Sequence, residues 1–165
     1  MAESSKNLVY GGGRVGLMGA VADAVMEHGG EATGVIPEFL QKKEVGHNGL
    51  TELIVVQSMH ERKQKMAELA DAFVALPGGM GTLEELAEIS TWVQLELIKK
   101  PIALLNVEGY YDHLFAQLDL MVEDGFVRPQ NRKALLNVKN VQDVLPHLES
   151  FVFDDYSIWD SLDKT

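Results

Sequence analysis

An α/β fold, with a parallel sheet between two layers of helices, is predicted by three features of this sequence. Short apolar runs bounded by turn signals alternate with longer segments of helical period, the pattern of βαβ units. Two glycine-rich turns each follow a strand and open a helix, which is where an open parallel sheet receives ligands. The chain has 165 residues, 46% hydrophobic and 24% charged, an ordinary globular composition that can bury roughly 70% of its unfolded surface in one domain.

The elements follow in order. Leu8 to Tyr10 is a strand entering the glycine cluster Gly11 to Gly19, after which Leu17, Ala20, Val21, Ala24 and Val25 share one helical face as far as Gly29-Gly30. Ala32 to Ile36 is the next strand, ended by Pro37. Leu53 to Val56 follows, and Ser58-Met59-His60-Glu61 forms a capping box that opens a helix to about Ala70. Ala72 to Leu76 runs into Pro77 and Gly78-Gly79-Met80-Gly81-Thr82. A helix to about Lys99 then has Leu83, Leu86, Ile89, Val93 and Leu97 as its buried stripe. Ile102 to Leu105 is the fifth strand, Tyr111 to about Asp124 a helix, Leu135 to Val138 a short strand, and Val141 to Leu148 a last helix. Ser150 to Thr165 reads as a tail whose Phe151, Val152, Phe153, Tyr156, Ile158 and Trp159 suit a surface or a partner subunit better than solvent.

Charge and cysteine content exclude several functions. Fourteen basic against twenty-five acidic residues leave a net charge of −11, which repels nucleic acid and anionic membranes. The chain has no cysteine, so it has no disulfide, thiol nucleophile, thiolate zinc site or iron-sulfur cluster. No apolar run approaches the length of a membrane span, and the first ten residues carry no signal-peptide pattern, so a cytoplasmic protein is expected. No cofactor or metal is expected. His28, His47, His60, His113 and His147 show no ligand spacing, and His60-Glu61 lacks the second histidine of a zinc helix because Gln64 stands there.

The chemistry concentrates at the two turns. Gly11-Gly12-Gly13-Arg14-Val15-Gly16 satisfies the dinucleotide fingerprint literally, but the acidic residue expected about 20 positions on is displaced to Glu38, beyond Pro37. A phosphate- or ribose-contacting turn and a plain tight turn remain the alternatives. The second turn is the sharper anion cradle. Pro77 sets the strand exit, glycines let backbone N–H groups approach an anion, and Thr82 stands where a helix N-cap would be. It lacks the lysine of a triphosphate-binding loop. Glu85, three residues on, either completes a capping box with Thr82 or acts on a ligand, and Glu84 is a first-turn carboxylate favoured by the helix dipole. Arg62 and Lys63 bring cations to the same sheet edge. Adjacent helical positions diverge by about 100°, so at most one of them faces the cleft while the other is solvated, and Arg62 suits bidentate phosphate contact better.

Four stretches resemble the LONELY GUY family of cytokinin riboside 5'-monophosphate phosphoribohydrolases, long labelled lysine decarboxylases. They are VYGGGRVGLMG at Val9 to Gly19, SMHERK at Ser58 to Lys63, PGGMGTLEE at Pro77 to Glu85 and LLNVEGYYD at Leu104 to Asp112. The resemblance spans about Leu8 to Leu148. It implies a three-layer Rossmann-like nucleotide-binding domain over residues 1–149, with 150–165 as tail, and a domain here without the strand, Gly-Ser-Ser turn and helix that precede the first glycine block in family members. It also implies Arg62 and Glu85 as catalytic residues, nucleotide contacts from Glu44, Lys63, Gly79, Met80, Gly81, Thr82, Leu83 and Glu84, phosphate contact at the first turn through Gly12 and Gly13, and a homodimer or larger homo-oligomer. The expected reaction is hydrolysis of the N-glycosidic bond of a purine nucleoside 5'-monophosphate. A non-catalytic nucleotide or molybdenum-cofactor carrier on the same fold is the alternative, and an interaction module using the acidic surface and the aromatic tail is a third reading. Lysine decarboxylation finds no recognisable pyridoxal-phosphate lysine context in the sequence.

Overall fold

The computed structural model describes residues 1–44, 46–47 and 49–154. Two compact units divide the chain, Met1–Ala70 and the segment from Asp71 onward. Each contains a three-stranded, all-parallel sheet, so the predicted parallel α/β class is found, with its six strands shared between two sheets.

In the first unit β1 (Leu8–Tyr10), β2 (Ala32–Pro37) and β3 (Glu52–Val56) lie in that order, with Leu8 opposite Ala32 and Gly34 opposite Leu53. Strand β2 includes Pro37, one residue past the predicted end. Pro37 is the last residue of the ladder, where its missing N–H is tolerated. Ala32, Val35 and Ile36 are fully buried although they point to alternate faces, the burial expected of a central parallel strand. Helices α1 (Gly16–Glu27) and α3 (Met59–Leu69) pack on this sheet, as does the short α2 (Glu38–Glu44).

The apolar face read for α1 holds at Val25 and in part at the half-buried Val21, but not at its other positions. Gly19, Ala22 and Val25 are buried, whereas Leu17, Ala20 and Ala24 are exposed. Helix α1 is apolar around most of its circumference, so periodicity alone is ambiguous.

In the second unit the order is β4 (Phe73–Ala75), β5 (Ile102–Leu105), β6 (Leu135–Val138). Strand β5 divides two cores by alternation. Ile102 and Leu104 join Val93, Tyr111, Phe115 and Leu135 on one side, and Ala103 and Leu105 join Val138, Val144 and Leu148 on the other. Helices α4 (Met80–Gln94) and α5 (Asp112–Glu123) therefore contribute to the first core, which Ala134 joins just after α6 (Pro129–Lys133), and α7 (Val144–Ser150) contributes to the second. Helix α4 stops five residues before the predicted Lys99. Glu96 takes a left-handed φ of 57°, and the N–H groups of Glu96 and Leu97 return to the carbonyls of Val93 and Trp92. That ending takes Leu97 out of the predicted stripe and leaves it 67% exposed, and Leu83 is exposed as well.

The segment Val141 to Leu148 begins as a 3-10 turn over Val141–Asp143 before α7. The start of the tail lies on its own unit. Phe151 and Phe153 meet edge to face at 4.9 Å against the first core, and Lys133 Nζ pairs with Asp154 at 2.9 Å. Tyr156, Ile158 and Trp159 lie outside the described residues. No helix among the described residues is long and apolar enough to cross a membrane.

One buried group gives a stability prediction. Tyr10 ends β1 with a buried hydroxyl that has no hydrogen-bond partner among the described residues. Burial, and then the charge of Asp23, push its pKa up to about 12. Because the unfolded tyrosine ionises near pH 10 while the folded one keeps its proton, this group costs stability as pH rises from about 10 to about 12. Tyr10→Phe removes that loss, and at neutral pH it removes an unpaired buried hydroxyl. Thermal melts at pH 7 and above 10 are expected to show a gain of about 1 kcal/mol at neutral pH and a smaller alkaline decline. A destabilised Phe variant at pH 7 would mean that the hydroxyl has a partner.

Candidate active site

The first glycine turn is shaped by Arg62. Ser58 caps α3 by accepting from Glu61 N–H at 3.1 Å, and Glu61 Oε2 accepts from Gln57 N–H at 2.8 Å, so the predicted capping box sets the start of the helix. Four residues after the cap, the Arg62 side chain reaches back under the carboxyl ends of β1 and β2. Its Nε donates to Val35 O at 3.1 Å and its Nη2 to Gly11 O at 2.9 Å, and Nη1 lies 3.7 Å from Met59 Sδ. A Cβ on Gly11 would stand 1.8 Å from Nη2, so glycine is present there to make room for the guanidinium. Gly12 has φ of +74° and lies against Ile36 and Leu53. Its carbonyl accepts from His47 N–H, and Gly13 bridges to Gly46. His47 Nε2 also meets Asp23 Oδ1 at 2.8 Å, holding this connection against α1.

Arg62 and Lys63 are both 7% exposed, which corrects the expectation that one of them is solvated. Helix α3 packs on all three strands of its sheet, so both positions lie beneath it. Lys63 has a polar partner. Arg62 has no carboxylate partner among the described residues. A buried cation without a counter-charge is costly unless an anion joins it. Glu44 closes α2, and its side chain lies outside the described part of the structure.

The second turn differs from its reading in one respect. Helix α4 begins at Met80 with Gly79 as N-cap and no side-chain cap, so Thr82 is the third helical residue and the Thr82–Glu85 capping box is not formed. Glu84 and Glu85 consequently lie in the second turn of the helix rather than the first. Gly79, with φ −92° and ψ −154°, starts the helix early, and Thr82 folds back over Gly78, where a Cβ would be 2.2 Å from Oγ1. The first intrahelical bond is Leu83 N–H to Gly79 O, so the N–H groups of Met80, Gly81 and Thr82 have no intrahelical acceptor. The space a Cβ would fill at Gly79 and at Gly81 is open. Met80 is exposed, and Glu85 is half-buried with a polar partner.

Sequence reasoning assigned no role to the residues that hold this turn. Tyr110 Oη donates to Gly78 O at 2.6 Å, and Tyr111 Oη donates to Leu76 O at 2.5 Å. No local pattern signals these contacts, which connect positions more than thirty residues apart. No group of three or more His, Cys, Asp or Glu residues that could hold a metal ion occurs among the described residues.

Strands that end in glycine turns and offer helix N-termini there form the arrangement by which parallel α/β proteins receive anionic ligands. A family model described as possible lysine decarboxylase matches residues 18–148. The chain is 48% identical over 145 residues to cytokinin riboside 5'-monophosphate phosphoribohydrolase LOG5 of Arabidopsis thaliana, covering 88% of this chain and 64% of that protein. It is 44% identical over 169 residues to LOG7 of the same plant, covering 99% and 78%. It is 51% identical over 146 residues to the probable phosphoribohydrolase LOGL9 of Oryza sativa subsp. japonica, covering 88% and 64%. The chain belongs to the LONELY GUY family. It spans roughly two thirds to three quarters of the length of these curated relatives.

Proposed function

We propose that the protein hydrolyses the N-glycosidic bond of a purine nucleoside 5'-monophosphate, releasing the free base and ribose 5-phosphate. The observation that carries this reading is the buried Arg62 guanidinium, which has no carboxylate partner among the described residues and whose Nη1 has only a thioether beside it. Such a group calls for a phosphate or another anion. The relatives, named as phosphoribohydrolases acting on cytokinin riboside 5'-monophosphate, supply the reaction and the substrate class.

In this mechanism the C1'–N9 bond lengthens and positive charge grows on the ribose. The Glu85 carboxylate offsets that charge and takes a proton from the attacking water, whose oxygen bonds to C1'. The C1'–N9 electron pair leaves with the base, assisted by Arg62. The base takes up one proton from solvent while Glu85 returns its own, so that the net change is addition of one water. Arg62 and Lys63 anchor the nucleotide with Glu44. Gly79 to Glu84, with Gly12 and Gly13, bring the phosphate to backbone N–H groups and helix N-termini. In this reading residues 1–149 serve as one nucleotide-binding domain, with 150–165 as its tail. No cofactor is required. A homodimer or higher homo-oligomer is supported by the exposed apolar stripe Leu17, Ala20 and Ala24 on α1, and a cytoplasmic setting by the acidic, cysteine-free chain.

The test incubates the purified protein with AMP and with isopentenyladenosine 5'-monophosphate and separates the products by chromatography. Free base and ribose 5-phosphate in equal amounts are expected, and the faster substrate identifies the base. Nucleotide retained without turnover by folded protein would favour the carrier reading.

A further inference from the structure

Strand β5 ends at Leu105, and the next residue organises the loop that follows. Asn106 is 1% exposed, and its N–H donates to Val138 O at 2.7 Å. Its Oδ1 accepts from Tyr111 N–H at 2.6 Å, and its Nδ2 donates to Asp112 Oδ1 at 2.7 Å and to Asn137 Oδ1 at 3.0 Å. The backbone between Asn106 and Tyr111 folds tightly, with φ of 53° at Glu108 and 73° at Gly109. This loop delivers the two tyrosines, their rings edge to face at 5.0 Å, to the turn after β4. Tyr111 is 2% exposed, and burial, followed by the neighbouring Tyr110, holds its hydroxyl above the usual tyrosine range, so it remains a donor at neutral pH.

The two hydroxyls bind the carbonyls on either side of Pro77, those of Leu76 and Gly78. A trans peptide is planar, so its C=O and the following N–H point in opposite directions. Tying Gly78 O to Tyr110 therefore turns Gly79 N–H away from the tyrosine. Between two glycines a peptide rotates at little steric cost, and the rotated form would direct a carbonyl oxygen where an anion is to bind.

We propose that Tyr110 is a positioning residue that locks the Gly78–Gly79 peptide, with its N–H on the side that receives the substrate's anionic group. The inference rests on the phosphoribohydrolase reading for its kinetic consequence but not for its structural one. Tyr110 is 53% exposed, so losing the hydroxyl leaves the fold intact.

Tyr110→Phe tests it in the full chain. The KM for AMP is expected to rise about tenfold with kcat within about twofold, because a phosphate contact remote from the reacting bond is held alike in ground and transition states. The melting temperature stays within about 2 °C. In the nucleotide-free protein the Gly78 carbonyl carbon resonance moves upfield as its hydrogen bond is lost. An unmoved carbonyl resonance overturns the proposal, as does an unchanged KM or a loss confined to kcat. If the wild type releases no base, the phosphoribohydrolase reading fails and the carbonyl resonance alone decides whether the peptide is locked.

Discussion

On the phosphoribohydrolase reading, Glu85→Gln is expected to slow base release by about three orders of magnitude or more, while AMP still binds. The amide keeps the size and most of the hydrogen-bonding capacity of the carboxylate, but it cannot accept the water's proton and carries no charge to set against the developing oxocarbenium ion. Glu85 lies in the second turn of α4 and takes no part in capping the helix, so the substitution leaves α4 intact. The measurement pairs single-turnover base release with equilibrium AMP binding. Retained binding with lost release is the expected pattern. Release within tenfold of wild type would remove Glu85 from the chemistry.

Arg62→Ala is expected to lose both substrate affinity and stability, because two carbonyls at the ends of β1 and β2 lose their buried donor. A stability loss of about 2 kcal/mol or more follows from leaving such groups unsatisfied, read as a fall in the denaturant midpoint. Gly11→Ala keeps the arginine and moves only its guanidinium. Its new methyl would stand 1.8 Å from Nη2, and what yields is the far end of a flexible side chain rather than backbone. The guanidinium is displaced and the fold survives, with KM for AMP raised by up to about a hundredfold, the worth of a charge-assisted contact. An unaltered KM in a folded Gly11→Ala protein would show that Arg62 does not hold the substrate.

Strand positions, the Ser58 cap and both glycine turns were legible in the sequence because each depends on neighbours a few residues away. The short helices α2 and α6, seven and five residues long, show too few turns for a periodic signal and went unread. The α1 face was legible only in part, at Val21 and Val25, because a helix apolar on most sides has no preferred face until a sheet lies beside it. The family motifs singled out Arg62 and Glu85 as candidates. They gave no reason for Gly11, whose role is steric and lies fifty-one residues away in Arg62.

Read alone, the amino-acid sequence yields the parallel α/β class, the succession of six strands, the exclusion of thiol chemistry and the four motifs that mark the family. All of these follow from local propensity, spacing and composition. The burial of both Arg62 and Lys63, the place of Thr82 inside its helix and turned back on Gly78, and the hold of Tyr110 and Tyr111 on the second turn emerge only in the folded chain. The physical reason is that burial and long-range hydrogen bonds belong to pairs of groups distant along the chain, and become definite only when the strands that carry them are packed.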